Sequence, residues 1–148
     1  MTPDQLAQLH QLCFDTPAPW SAAAFSQFLA DDVCAFVTSE NAFMLGRLIG
    51  DEAEVLTLAV APVARRQGAA LALMTRFHAQ AAGRGVVRIF LEVSAENPAA
   101  IALYQKLGYL QTGKRLHYYQ PPAGPSIDAL IMSVTLIASK PKYAKDSA

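Results

Sequence analysis

Between Leu58 and Leu71 the chain leaves an apolar run, passes Arg65, Arg66, Gln67 and Gly68, and enters Ala69, Ala70 and Leu71. Such small residues leave backbone N–H groups bare. At the start of a helix those groups and the helix dipole hold phosphate oxygens, and a glycine at Gly68 permits an approach that no larger residue allows. Arg65 or Arg66 can add a charge-assisted contact. Read alone, the segment also fits a surface loop with two solvated arginines ahead of an Ala-rich helix. It is not the phosphate loop of the nucleoside triphosphatases, which needs Gly-x-x-x-x-Gly-Lys-Ser/Thr, and it lacks the three glycines of the dinucleotide fingerprint.

Two further residues could act on a bound molecule. Leu91 and Val93 flank Glu92, so if both pack into one face of a strand the carboxylate points to the other, toward whatever cleft that face lines. The plainer alternative is an exposed glutamate paired with Arg88. Tyr104 sits at helical spacing with Ala100, Leu103 and Leu107, where the ordinary role is a core aromatic with its hydroxyl at the surface. His10, His78 and His117 show no ligand spacing, so no metal is expected. Cys13 and Cys34 form no Cys-x-x-Cys pair and are expected as buried thiols.

The elements that must position these groups follow from caps and periodicity. Thr2, Pro3 and Gln5 predict a capping box opening a helix along Leu6, Leu9 and Cys13. Ser21 caps a second helix, with Phe25 at staple distance from Trp20. Strands are predicted over Val33–Thr38, Ala42–Gly50 and Ala53–Val60 as an antiparallel meander, then a helix over Gly68–Ala82. Val86–Val93 is an apolar strand, Asn97-Pro98 opens a helix that Gly108 ends, and strands from Tyr109 and over Asp128–Ile137 complete the chain. The order ααβββαβαββ gives a mixed α/β layer in which the strands around the Gly68–Ala82 crossover run parallel if they are neighbours. At 148 residues, with 12 basic and 12 acidic side chains, residues 1–138 are expected as one domain and 139–148 as a disordered tail. Zero net charge excludes a global field for nucleic acid or an anionic membrane. With no apolar stretch of membrane-spanning length and no signal-peptide pattern at the N-terminus, the expected location is cytoplasmic.

Arg65-x-x-Gly68-x-Ala70 behind Leu58-Ala59-Val60, together with Leu91-Glu92-Val93 and Asn97-x-x-Ala100-Ile101-x-Leu103-Tyr104-x-x-Leu107-Gly108-Tyr109, resembles the GNAT N-acetyltransferases. Over about Glu52 to Met132, and through Pro19-Trp20-Ser21 and Tyr118-Tyr119, the chain is most similar to the ribosomal-protein-alanine N-acetyltransferases of the RimI type. The resemblance implies the acyl-CoA N-acyltransferase fold: a mostly antiparallel sheet with one splayed parallel pair and flanking helices. It implies direct transfer of acetyl from acetyl-CoA to an α-amine, with Glu92 as general base and Tyr104 as general acid. Leu58, Ala59, Val60, Arg65, Arg66, Gln67, Gly68, Ala69, Ala70, Leu71 and Asn97 would contact the cofactor. An oxyanion donor would come from backbone N–H in the strand ending at Val60. Trp20, Glu54 and Tyr119 would meet the substrate, although Trp20 also fits a staple alone and Glu54 an exposed strand carboxylate.

The implied chemistry is undemanding. An α-amine has a reference pKa of about 7.7–8.0, so a carboxylate working through one water suffices, and a phenol can stabilise or protonate a departing thiolate. The implied partner is a protein N-terminus, possessed by a ribosomal protein, with no nucleic acid or membrane and with a monomer or weak homodimer acting. A GNAT enzyme for a small amine or a lysine, or a non-catalytic acetyl-CoA-binding regulator, remains as an alternative. The chain departs from the family in having almost no residues before its first helix, so the first edge strand is expected to be missing.

Overall fold

In a computed structural model that describes residues 1–14 and 18–136, the order is α1 (Pro3–Cys13), α2 (Ala22–Leu29), β1 (Cys34–Ser39), β2 (Ala42–Ile49), β3 (Glu52–Val60), a 3-10 turn (Pro62–Ala64), α3 (Ala69–Gly83), β4 (Arg88–Ser94), α4 (Pro98–Lys106), β5 (Leu110–Tyr119) and β6 (Ile127–Thr135). The six strands form one sheet in the order β1-β2-β3-β4-β6-β5. All neighbours are antiparallel except β3 and β4, which the α3 crossover makes parallel. No strand precedes α1 among the described residues, which leaves β1 at one edge. The expected domain end at 138 and the tail 139–148 lie outside the described residues.

The caps are those the residues predict. Thr2 and Gln5 exchange both bonds of a capping box, Ser21 Oγ accepts from Ala24 N–H, and Asn97 Oδ1 accepts from Ala100 N–H. Helix α4 ends in a complete Schellman motif: Gly108 takes φ +95°, its N–H donates to Gln105, and Tyr109 N–H donates to Tyr104. That use of Tyr109 starts β5 at Leu110 instead. Likewise β4 starts two residues later than expected, because Val86 N–H returns to Ala81 and Val87 N–H to Asp51.

Two cores lie on opposite faces of the sheet. One face packs against α3 and α4 through Val55, Leu73, Met74, Phe77, Leu91, Tyr104 and Tyr109, and the other packs against α1 and α2 through Leu6, Phe25, Phe43 and Ala59. Strand β3 serves both because it carries a bulge. Leu45 pairs with Thr57 but Gly46 pairs with Val55, so Leu56 is the extra residue. Before it the odd positions Ala53 and Val55 face α3; beyond it the odd position Ala59 faces α1 and α2, while Leu58 and Val60 turn toward α3. Regular alternation of buried and half-buried residues along β3 therefore hides a change of face. Pairing of β3 with β4 runs only from Glu52–Arg88 to Val55–Leu91. Past the bulge the two strands separate.

Candidate active site

The gap left by that separation opens a cavity of about 780 Å³, walled by Val55–Leu58 and Val60 of β3, Leu91–Ser94 of β4, the 64–66 and 68–71 stretches, and α4 from Asn97 to Lys106. Beyond Val55 and Leu91, the facing edges of β3 and β4 no longer bond to each other. A strand edge whose N–H and C=O groups lack a neighbour strand is a place where an extended amide-bearing ligand can add itself.

At one end lies the N-terminus of α3. Its first internal bond runs from Ala72 N–H to Gly68 carbonyl, which leaves the amides of residues 69–71 directed out of the helix. No side chain caps this end, and Gly68 takes φ +81°. A Cβ there would meet nothing within 4 Å, so the glycine is required by conformation rather than by crowding. Arg66 also holds a left-handed φ of +65°. Arg65 Nε donates to Val60 carbonyl over 3.0 Å and fastens the loop to the end of β3. Cations Arg65, Arg66 and Lys106 line the cavity, a field suited to phosphate.

Glu92 and Tyr104 face the same space. Leu91 and Val93 are buried in the α3-side core and turn Glu92 the other way, as the alternation predicts. Its partner is not Arg88, which binds Glu52 at 3.2 Å, but Arg115, whose Nε lies 2.5 Å from Glu92 Oε2. Arg88 stands beside Glu52 in the parallel register, and that proximity decides the pairing. Tyr104 is buried. Burial, and secondarily Tyr119, pushes its phenol well above the ordinary value of 10. Burial pushes Tyr119 up to about 12, with help from the charges of Glu92 and Tyr118. Both therefore stay protonated hydrogen-bond donors at neutral pH.

Most residues singled out in the sequence meet here: Leu58, Val60, Arg65, Arg66, Gly68, Ala69, Ala70, Leu71, Glu92, Asn97, Tyr104, Trp20 and Tyr119 all line the cavity. Asn97 spends its side-chain oxygen on capping α4, which leaves its amide N–H groups to donate. Trp20 is both a staple, 5.7 Å from Phe25 between ring centroids, and a cavity wall. Three do not reach the cavity with their side chains. Ala59 is buried under α1 and α2 because the bulge turned it there. Gln67 is exposed outside the lining. Glu54 binds Arg47 at 2.9 Å.

The cysteines correct an expectation. Both are half-buried, and Cys13 lines the cavity, its Sγ donating to Val60 carbonyl, because the last turn of α1 lies at the rim. His10, weighed in the sequence only as a possible metal ligand, also lines the cavity. Its signal was a histidine one turn after Leu6 on the buried stripe of α1. Trp20 N–H donates to its Nδ1 and Thr57 Oγ1 lies 3.0 Å from its Nε2, so the ring proton sits on Nε2 and donates to Thr57. Among the described residues no group of three or more histidine, cysteine or acidic side chains could hold a metal, and no helix is long and apolar enough to cross a membrane.

Comparison with known proteins matches residues 4–109 to the acetyltransferase (GNAT) family. The chain is 35% identical over 122 residues to the ribosomal protein bS18-alanine N-acetyltransferase of Escherichia coli K12, covering 80% of this chain and 82% of that one. It is 33% identical over 123 residues to the N-alpha-acetyltransferase RimI of Mycobacterium tuberculosis, covering 77% and 76%. The crystal structure of the Escherichia coli ribosomal-protein-S18-alanine N-acetyltransferase superposes with a TM-score of 0.78 at 30% identity, over 93% of this chain and 88% of that one.

Proposed function

Because this chain belongs to the GNAT acetyltransferase family, and so is an acetyl-CoA-dependent N-acetyltransferase, we propose that its acceptor is the N-terminal α-amine of a protein, the alanine terminus of ribosomal protein bS18. The pyrophosphate of acetyl-CoA lies on the amides at the start of α3 with Arg65 and Arg66, and the pantetheine arm runs along the open edge of β3 toward Glu92 and Tyr104. A backbone N–H on that edge, past the bulge, receives the carbonyl oxygen as it becomes an oxyanion. Glu92, through one water, takes the proton that the amine sheds on attacking the thioester carbon. The C–S bond then breaks and the electron pair leaves on sulfur. Tyr104 donates a hydrogen bond to that thiolate. With its pKa raised by burial, the phenol is a weaker acid than a thiol of about 8.5, so it stabilises the thiolate and the final proton comes from solvent. No enzyme nucleophile enters, and Cys13 remains engaged with Val60.

What supports these roles is one observation: a carboxylate, a buried phenol and an uncapped helix N-terminus share the cavity that the bulge opens. On this reading Trp20 and Tyr119 border the acceptor and Glu54 lies further out. The reaction takes place in the cytoplasm, where ribosomal proteins are made, and a monomer or weak homodimer carries it out without nucleic acid or membrane. The test is intact-mass spectrometry of a peptide bearing the bS18 N-terminus, incubated with acetyl-CoA and either the parent protein or Glu92→Gln. The parent should add one acetyl group to the α-amine, and the variant should be about 100-fold slower or more. An unmodified peptide, with acetylation of a small amine or a lysine instead, overturns the acceptor.

A further inference from the structure

Four ion pairs are formed among the described residues, and only the one at Glu92 has a member in the cavity lining. Its partner comes from β5, two strands away from β4. In the sheet register Glu92 stands beside Ile131 and Ile131 beside Gly113, while one pair further along Ser94 stands beside Ala129 and Ala129 beside Arg115. Alternation puts all six on one face. Arg115 thus reaches across β6 at Ala129, where the intervening side chain is a single methyl, to arrive at Glu92 Oε2. At Gly113, directly in line with Glu92, a Cβ would come within 3.2 Å of Ile131 Cδ1.

The strand that carries Arg115 is locally irregular and firmly held. Between Arg115 and Tyr119 the register of β5 with β6 shifts, and His117 adopts φ +56°. Its N–H donates to Asp128 Oδ1 at 2.9 Å and its ring bonds Ser126 Oγ at 2.6 Å. The same bulge brings the Tyr118 ring to 5.2 Å from the Arg115 guanidinium. The charge of Glu92 and, after it, burial raise the Tyr118 phenol above its usual range. The guanidinium thus lies between the Glu92 carboxylate and the Tyr118 ring.

We propose that Arg115 is a positioning residue that fixes the Glu92 carboxylate for proton transfer; the proposal rests on the role given to Glu92 above. An ion pair with more than half of the arginine side chain exposed contributes little to stability, so its consequence is geometric. Holding Oε2 leaves Oε1, with its lone pairs, to meet the water that relays the proton. The planar guanidinium fork sets direction as well as charge, which a lysine ammonium does only in part.

The experiment is a double-mutant cycle: steady-state acetylation of an alanine-starting bS18 peptide by the parent, Arg115→Ala, Glu92→Gln and the double variant, with Arg115→Lys as the conservative control. Arg115→Ala is expected to lose about tenfold in kcat, a fraction of the 10²–10⁴ that a general base supplies, with the KM for acetyl-CoA and the thermal midpoint unchanged. Arg115→Lys should recover part of it. In the Glu92→Gln background the same substitution should cost nothing further, because the group it orients is gone. Equal losses in both backgrounds, or a change confined to the KM for peptide, overturn the proposal. Parent and Glu92→Gln turning over alike would remove the base role itself and the proposal with it. Turnover that needs Glu92 but ignores Arg115 removes the positioning role alone.

Discussion

On the proposed function, burial bears on which of two roles Tyr104 takes. A phenol at its ordinary value near 10 is already a weaker acid than a thiol of about 8.5, and burial weakens it further, so on this reading it acts by hydrogen bonding. A hydrogen bond to a charged group is worth roughly 1.5–3 kcal/mol, or about 10- to 100-fold in rate. Tyr104→Phe is accordingly expected to lower kcat by about that factor and leave the KM for acetyl-CoA nearly unchanged. The pH dependence of kcat/KM should rise with a midpoint near pH 8 and level off above about pH 9 as the acceptor amine loses its proton, in parent and variant alike. A falling limb below about pH 10 in the parent that is absent from Tyr104→Phe would show that the phenol does titrate during turnover. The helical spacing of Tyr104 was legible in the sequence; the depth of its hydroxyl was not, because Tyr109 and Tyr119 approach it only after the chain has folded back.

At the scale of elements, the bulge in β3 makes the site, and Gly46 holds the helix that supports it. Opposite the bulge, a Cβ on Gly46 would stand 2.3 Å from Phe77 Cζ, and Phe77 is fully buried in the core between α3 and the sheet. The ring cannot swing away into solvent. Gly46→Ala should therefore push α3 off the sheet and destabilise the fold by about 1–3 kcal/mol, read as a lower midpoint in thermal or urea unfolding. An unchanged midpoint would mean that α3 does not seat on β2 through this ring. The alternation of β3 and the glycine in β2 are both visible in the sequence. Their conjunction is not, because a one-residue slip keeps the same alternating pattern while exchanging the two faces.

For the whole molecule, His10 links three parts that a sequence reading treats apart: α1, the Trp20 entrance to α2, and β3 at Thr57. Its ring stacks on Phe14 at 4.4 Å and on Trp20 at 4.9 Å between centroids, and desolvation lowers its pKa from 6.5 to about 4. The unfolded chain takes up this proton near pH 6.5 and the folded chain does not until near pH 4. Stability from His10 is thus fully present above 6.5 and is lost as the pH falls toward 4. The full loss is about 3 kcal/mol, of which roughly 2 falls between pH 7 and pH 4.5. Urea unfolding at pH 7 and pH 4.5 should show a smaller acid decline for His10→Gln than for the parent, whatever the variant loses at pH 7. Identical declines would mean that the folded protein binds this proton after all. Since Trp20 and His10 both line the cavity, protonation of His10 would act on the α1 rim of that cavity.

Read alone, the chain determined its elements, their order, the parallel pair and the glycine turn into α3, because capping, strand alternation and the glycine before α3 act over a few residues and leave local marks. It also placed Glu92 and Tyr104 correctly on their faces. Only the tertiary structure decided which neighbours those faces meet. Arg115 stands 23 positions beyond Glu92 in the chain, on the edge strand beyond β6, and competes with the nearer Arg88 that Glu52 has already taken. Ala59 turned inward, and the cavity opened, because β3 gained one residue against β2. Register between strands is set by packing summed over both faces of the sheet, and no short stretch of sequence carries that sum.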